Sequence, residues 1–118
     1  MFLSQYFKKQ KDKKELKNSN FGRNYGWDIE YQGEVIGELT NWKFFDMYWC
    51  TYKIFAINAS MESILFDEKL WNDCKFKFKN KKYGIYAKAP ISSFISGNLL
   101  NSKTIRMRML YLTEQQLY

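Results

Sequence analysis

The sequence predicts a mainly β protein of the α+β class, with an antiparallel sheet or a partly open barrel of about six strands and one or two covering helices. Two kinds of observation support this prediction. Segment 49–57 is apolar on both faces of a pleat apart from Lys53, which is typical of a central strand. Segments 27–39 and 75–87 each alternate apolar and polar residues around a turn, as β-hairpins do.

A single domain is expected over residues 1–118, with a basic N-terminal helix or arm at 1–20 and a β-rich core at 27–112. The N-terminal stretch places its lysines after a short apolar patch, whereas a secretory signal places them before a longer one. No window approaches the roughly 20 apolar residues that a membrane-spanning helix needs. We therefore expect a soluble, cytoplasmic protein without a membrane span.

The first element is predicted to be a helix over 2–17 or a partly ordered arm. Its apolar stripe fades after Phe7, so we expect the first half of the helix to dock on the core. The lysines on its remaining surface are typical of a solvated face, with a lipid or nucleic-acid contact as the alternative. A loop rich in asparagine and glycine follows at 18–26.

The hairpin at 27–39 has the clearest local pattern in the chain. A two-residue turn at 32–33 would put Val35 and Trp27 on opposite faces, whereas a three-residue loop at 31–33 puts them together. We therefore predict the longer loop. Four carboxylates then face outward as a local acidic surface, with no lysine or arginine among them: Asp28, Glu30, Glu34 and Glu38.

The middle of the chain is predicted to be the central strand, 49–57, followed by a helix at 60–71. Ser60 is the expected N-cap of this helix, and a separate turn beginning at Asp67 is the alternative. Both faces of the strand carry large apolar side chains, so we expect other segments to cover both. One face has Trp49, Phe55 and Ile57, and the other has Cys50, Tyr52 and Ile54.

The second hairpin, 75–87, is predicted to turn at 80–81, which would put Lys79 opposite Lys82. One face of this hairpin is then apolar and the other is a lysine ladder. Such a row of lysines also protects an exposed edge strand from aggregation, which is the structural alternative to a binding role. The ladder comprises Lys75, Lys77, Lys79 and Lys82.

The chain is predicted to close with a last strand at 104–112, after Pro90 ends the hairpin and a turn-rich connection runs through 92–102. Alternation along this strand turns Arg106 and Arg108 away from the core. The expected core residues are Trp27, Ile29, Val35, Leu39, Trp49, Tyr52, Ile54, Phe76, Phe78, Ile85, Ile105 and Met107.

The absence of histidine from the chain excludes several chemistries. Ser-His and Cys-His pairs and imidazole metal sites are all ruled out. Cys50 and Cys74 are too few for a zinc site and are interpreted as structural thiols, with a disulfide as the alternative in an exported protein. We expect no enzymatic activity, no metal and no cofactor. The remaining carboxylates are scattered among lysines, as surface residues are: Asp46, Glu62, Asp67, Glu68 and Asp73.

Binding is the class of function that remains, and two partners are compatible with the sequence. A protein partner would meet separate acidic and basic surfaces, which steer association and fix register. The alternative is an OB-like protein that binds single-stranded nucleic acid, with Tyr86 and a basic face as its groove. The candidate partner-binding residues are Asp28, Glu30, Glu34, Glu38, Lys75, Lys77, Lys79, Lys82, Arg106 and Arg108.

A set of short motifs resembles a known class of proteins: WDIEY at 27–31, Gly33, I-G-x-L at 36–39 and DMYW at 46–49. They are similar to the opening of small bacterial immunity proteins that are found beside polymorphic toxins. The resemblance implies a single-domain, cytosolic, non-catalytic inhibitor that binds a toxin directly. The net charge of +7 differs from the acidic inhibitors that often neutralise basic nucleases, and it favours a toxin with an acidic face.

Overall fold

One antiparallel sheet organises the computed structural model, which describes residues 2–47, 49–88 and 104–117, with side chains from residue 6 onward. The order across the sheet is β4-β1-β2-β3-β5. The mainly β, α+β prediction is therefore confirmed, with five strands among the described residues instead of about six. The strands are β1 (Trp27–Tyr31), β2 (Glu34–Phe44), β3 (Trp49–Ala56), β4 (Lys77–Asn80) and β5 (Thr104–Arg108).

The two ends of the sheet are linked by the chain that follows β4. Tyr86 forms an isolated bridge with Lys79 of β4, and Lys88 forms another with Tyr111, which follows β5. These bridges bring the two ends of the sheet toward each other around a shared core. Among the described residues, three helices flank the sheet, namely α1 (Phe2–Asn18), α2 (Glu62–Leu65) and α3 (Glu68–Asn72). Single 3-10 turns lie at Arg23–Tyr25, Ala59–Met61 and Glu114–Leu117.

The first hairpin turns through two residues, so the predicted three-residue loop was wrong. Tyr31 pairs with Glu34, and the two residues between them, Gln32 (φ 51°) and Gly33 (φ 82°), are both left-handed. This geometry is that of a type I′ turn, whose twist matches the twist of the flanking strands. The longer loop aligns the apolar faces only if the ladder between the two strands is unbroken.

With a two-residue turn and a regular ladder, the apolar residues of β1 and β2 would fall on opposite faces of the hairpin. A β-bulge in β2 brings them back to the same face. Ile29 pairs with Gly37 but Glu30 pairs with Val35, so Ile36 is an extra residue in β2. The bulge turns Ile36 into the core and leaves Val35 39% exposed. The prediction of Val35 as a core residue was therefore wrong.

β3 is the predicted central strand, but only one of its faces is buried. Cys50, Tyr52 and Ile54 lie in the core, whereas Phe55 is 39% exposed and Ile57, just beyond the strand, is 53% exposed. The expectation of cover on both faces was wrong, because the buried residues of the helices all belong to the core on the Tyr52 side.

The predicted helix at 60–71 is divided into α2 and α3, as the alternative start at Asp67 proposed. The Asp67 carboxylate accepts a hydrogen bond from the Lys69 backbone N–H at 3.0 Å and so caps α3. Ser60 does not cap a helix. Its hydroxyl donates to the Asn58 side chain instead.

Two side chains from these short helices cover the inner face of the sheet near β1 and β2. Leu65 of α2 lies over Gly37, where an added Cβ would approach the Leu65 side chain to 2.9 Å. Trp71 of α3 packs edge-on against Phe76, with ring centroids 5.0 Å apart. Gly37 is therefore required for the close approach of helix and sheet.

α1 docks by its second half, in contrast to the prediction that its first half docks. Leu16 is fully buried, whereas Tyr6 and Phe7 are 56% and 64% exposed. The Glu15 carboxylate pairs with Lys82 and accepts a hydrogen bond from the Tyr25 hydroxyl at 3.2 Å. These contacts fix the end of the helix that leads into the sheet.

The second hairpin has a longer turn than predicted, because Asn80 nucleates it. The Asn80 side-chain oxygen accepts hydrogen bonds from the backbone N–H groups of Lys82 and Tyr83, which makes an Asx turn. Lys79 consequently pairs with Tyr86, so the predicted placement of Lys79 opposite Lys82 was wrong.

Most of the predicted core residues are buried, the exceptions being Trp49 and Ile85, which are half-buried, and Val35. After Arg108 the buried positions shift by one residue, to Leu110 and Leu112, so β5 ends earlier than predicted. Pro90 and the predicted connection at 92–102 lie outside the described residues. Buried side chains that the sequence analysis did not predict are Leu16, Ile36, Leu65, Trp71, Leu110 and Leu112.

Candidate functional site

The acidic hairpin and the lysine ladder are parts of one mixed face, in contrast to the separate surfaces that the sequence suggested. β1 lies between β4 and β2, and Asp28 stands opposite both Lys79 and Glu38. Glu30 stands opposite Lys77 in the same way. Residues directly opposite each other in antiparallel strands share a face, so the lysines of β4 stand beside the carboxylates of β1.

Lys81, which was not among the predicted site residues, neutralises the centre of the acidic surface. Its ammonium lies 2.7 Å from carboxylate oxygens of both Asp28 and Glu38. Partial burial works against its charge, but hydrogen bonds to the two carboxylates outweigh burial and raise the Lys81 pKa. The predicted acidic surface is therefore not available as an uninterrupted patch, and Glu34 is its remaining exposed carboxylate without a role in this network.

Tyr86 contacts two members of the lysine ladder. Its hydroxyl donates to the Glu30 carboxylate at 2.8 Å, and this hydrogen bond raises the pKa of Tyr86. The ammonium groups of Lys77 and Lys79 lie 5.6 Å and 5.4 Å from the centroid of its ring, within cation–π range. The ladder thus makes contacts within the protein.

The remaining basic candidates are distributed over different parts of the molecule. Lys82 pairs with Glu15 of α1, and Lys75 is an exposed residue that precedes β4. Arg106 and Arg108 lie on β5, and three strands separate β5 from β4 in the sheet. The two arginines stack on Phe45 and Trp49, whereas Lys77 and Lys79 contact the Tyr86 ring. The basic residues are therefore grouped around different rings and do not share the one predicted groove.

The two arginines instead belong to a surface at the end of the sheet where β2 turns into β3. Thr51 pairs with Lys43 on one side and Arg106 on the other, and Trp49 pairs with Arg108. Phe45 is two residues beyond Lys43, and its backbone N–H donates to the Trp49 carbonyl at 3.2 Å. We call this the aromatic–arginine surface, and it comprises Lys43, Phe45, Trp49, Thr51, Arg106 and Arg108.

Arginine–aromatic stacking gives the aromatic–arginine surface its geometry. The Arg106 guanidinium carbon lies 3.8 Å from the centroid of the Phe45 ring, and that of Arg108 lies 4.7 Å from the centroid of the Trp49 ring. Stacking holds a planar guanidinium in place and leaves its N–H edge free to form hydrogen bonds in the plane. The exposed Arg106 therefore presents oriented donors beside the Phe45 ring, whereas Arg108 is half-buried and already engaged within the protein.

Exposed apolar side chains adjoin the aromatic–arginine surface. Phe44 is 63% exposed, Phe45 48% and Met47 78%, all within the end of β2 and the following turn. Large apolar side chains clustered in one exposed turn are characteristic of interaction sites. Neither β3 nor β5 contains an aspartate or glutamate.

The buried polar groups of the core serve its structure. The Trp27 indole N–H donates to the Tyr52 hydroxyl at 2.9 Å, and both side chains are fully buried. Burial raises the pKa of the Cys50 thiol to about 11, which keeps the thiol protonated and unreactive near neutral pH. In the part of the chain that the structure describes, no three acidic or cysteine side chains form a metal-binding group.

Comparison of the chain with protein families, curated proteins and solved structures found no match. Within the described ranges, no helix is both long and apolar enough to cross a bilayer. Of the ten predicted site residues, only Arg106 and Arg108 lie in the aromatic–arginine surface. The alternation of arginine with apolar residues along β5 predicted that these two arginines face outward. The apolar residues on the second face of β3 were the signal that could have indicated the other residues of the surface.

Proposed function

We propose that this protein is a non-catalytic, cytoplasmic module that binds another protein through the aromatic–arginine surface. The observation that carries the proposal is the combination of stacked guanidinium groups with exposed Phe44, Phe45 and Met47 in a single turn. Arginine and aromatic side chains dominate the energetics of protein interfaces, because they bury a large area and still form directed hydrogen bonds. A rigid sheet beneath them reduces the entropy that binding loses.

An immunity protein that neutralises a toxin by direct contact is the form of this function that we favour. Support comes from the resemblance of the segments 27–39 and 46–49 to such inhibitors and from the absence of histidine. The burial of Cys50 adds to this support, because it leaves no activated nucleophile in the core. A direct inhibitor needs a fixed binding surface and no catalytic group of its own.

Binding of single-stranded nucleic acid is the alternative, and one observation favours it. Three strands, a helical segment and two further strands follow one another as in an OB-like fold. Base stacking, however, requires open ring faces, and the rings of Phe45, Trp49 and Tyr86 are each approached by cationic side chains. The protein partner is therefore the better-supported proposal.

Site-specific photo-crosslinking in the source cell tests the proposed function. Phe44 is replaced by benzoylphenylalanine, and the same replacement of Tyr6 on α1 is the matched control because the two rings have similar exposure. We expect the Phe44 probe to form a discrete adduct with one protein and the Tyr6 probe to form none. The added substitution Arg106→Ala should remove the adduct. Equal adducts from both probes, or an adduct with nucleic acid, would contradict the proposal.

A further inference from the structure

The two halves of the sheet differ in the signs of their charged side chains. On β4, β1 and the first part of β2, carboxylates and lysines alternate and pair, as Asp28 and Glu38 do with Lys81. Beyond Glu38, neither β2, β3 nor β5 contains an acidic residue. The strands of the second half therefore carry only cations, and the carboxylate of Asp46, in the turn between β2 and β3, already accepts a hydrogen bond from the Trp49 backbone N–H at 3.1 Å.

The cations of this half lie on one face of the sheet. Lys43 and Arg106 both pair with Thr51, so all three share a face, and Lys53 pairs with Thr40 and Thr104 one row further along. Lys43, Lys53 and Arg106 are all exposed. Like charges in neighbouring rows repel one another, and a partner of opposite charge relieves that repulsion.

The chemistry of the surface distinguishes between kinds of negative partner. The stacked guanidinium of Arg106 presents its N–H edge, which matches the two oxygens of a carboxylate. Met47, in the turn that follows the stacked Phe45, and Phe55, two residues from Lys53 on the same pleat face, are exposed and offer an apolar contact that a phosphate backbone would not use. The ring of Phe45 is already covered by Arg106 and so offers less surface for a nucleotide base.

We infer that the partner of the aromatic–arginine surface is an acidic protein face, with carboxylates that pair with Lys43, Lys53 and Arg106 and apolar side chains that contact Met47 and Phe55. This inference rests on the proposed function and names the chemistry of the partner. The mixed face of β4 and β1 takes no part in the contact, because its charges are already paired within the protein.

A displayed library of random peptides of about 12 residues, selected on the full chain, tests this inference directly. We expect the enriched peptides to combine aspartate or glutamate with large apolar residues, and their affinity to fall as the salt concentration rises. Lys43→Glu and Arg106→Glu should each weaken the best peptide about tenfold or more, since attraction is replaced by repulsion. Lys43→Glu leaves both arginine–aromatic stacks in place, so it separates charge from folding.

The matched control is Lys75→Glu, which makes the same change of charge at an exposed lysine outside this face and should leave the peptide affinity unchanged. Selection of no binders, selection of peptides without acidic residues, or an equal loss with Lys75→Glu would overturn the inference. Tight binding of a 20-nucleotide single strand at ~150 mM salt would also overturn it. If the inference fails while the Phe44 probe still captures a protein, the proposed function stands and only the acidic partner is rejected.

Discussion

At the scale of single residues, β3 shows how little separates a core position from a surface position. Ile54 is 1% exposed and pairs with Leu39 inside the sheet, whereas Ile57, three residues later, is 53% exposed. The sequence predicted cover for both faces of the strand, because each face is apolar, and it placed Ile54 in the core. What it could not supply was which of the two faces the helices would cover.

The difference in burial between Ile54 and Ile57 predicts that the same substitution has different effects on stability at the two positions. Ile54→Ala should lower the free energy of unfolding by about 2–5 kcal/mol, since it removes buried methyl groups and leaves a cavity. Ile57→Ala is the matched control and should cost less than about 1 kcal/mol, since its side chain already contacts solvent. Urea denaturation measures both. Similar losses for the two variants would show that both faces of β3 are buried and that the account of the open face is wrong.

At the scale of elements, the first hairpin was located correctly but its turn was not. The alternation of 27–31 identified the strand, and Gly33 identified the turn. The predicted loop length was wrong because of the bulge at Ile36. A bulge shifts the register by one residue and so reverses the faces that period-two alternation assigns. Asn80 had a similar effect on the second hairpin through its Asx turn.

A substitution in the turn of the first hairpin tests its two-residue geometry. Gln32 has a left-handed backbone with φ 51°, which asparagine tolerates better than glutamine. Gln32→Asn should therefore raise the free energy of unfolding by a few tenths to about 1 kcal/mol. The same change at exposed Gln115, in the 3-10 turn near the C-terminus, should have no measurable effect. A destabilised Gln32→Asn variant would indicate the three-residue loop instead.

At the scale of the whole molecule, charge is sorted by strand order, which the sequence does not contain. The acidic hairpin and the lysine ladder are about 40 residues apart in the chain yet occupy neighbouring strands, where Lys81 and Tyr86 join them. Local pattern identified the arginines of β5 as outward-facing. It did not place them beside Phe45 and Trp49, because that contact depends on the pairing of β3 with β5.

The central claim is that one end of the sheet, and not its charged β4–β1 half, is the binding surface. Hydrogen–deuterium exchange is measured on the full chain, alone and bound to the protein captured by the Phe44 probe. It shows which residue ranges become protected on binding. We expect slower exchange on binding in the turn at 44–47 and in 104–108, with no change in the turn at 81–84. Protection confined to 77–84, with unchanged exchange at 44–47, would contradict it.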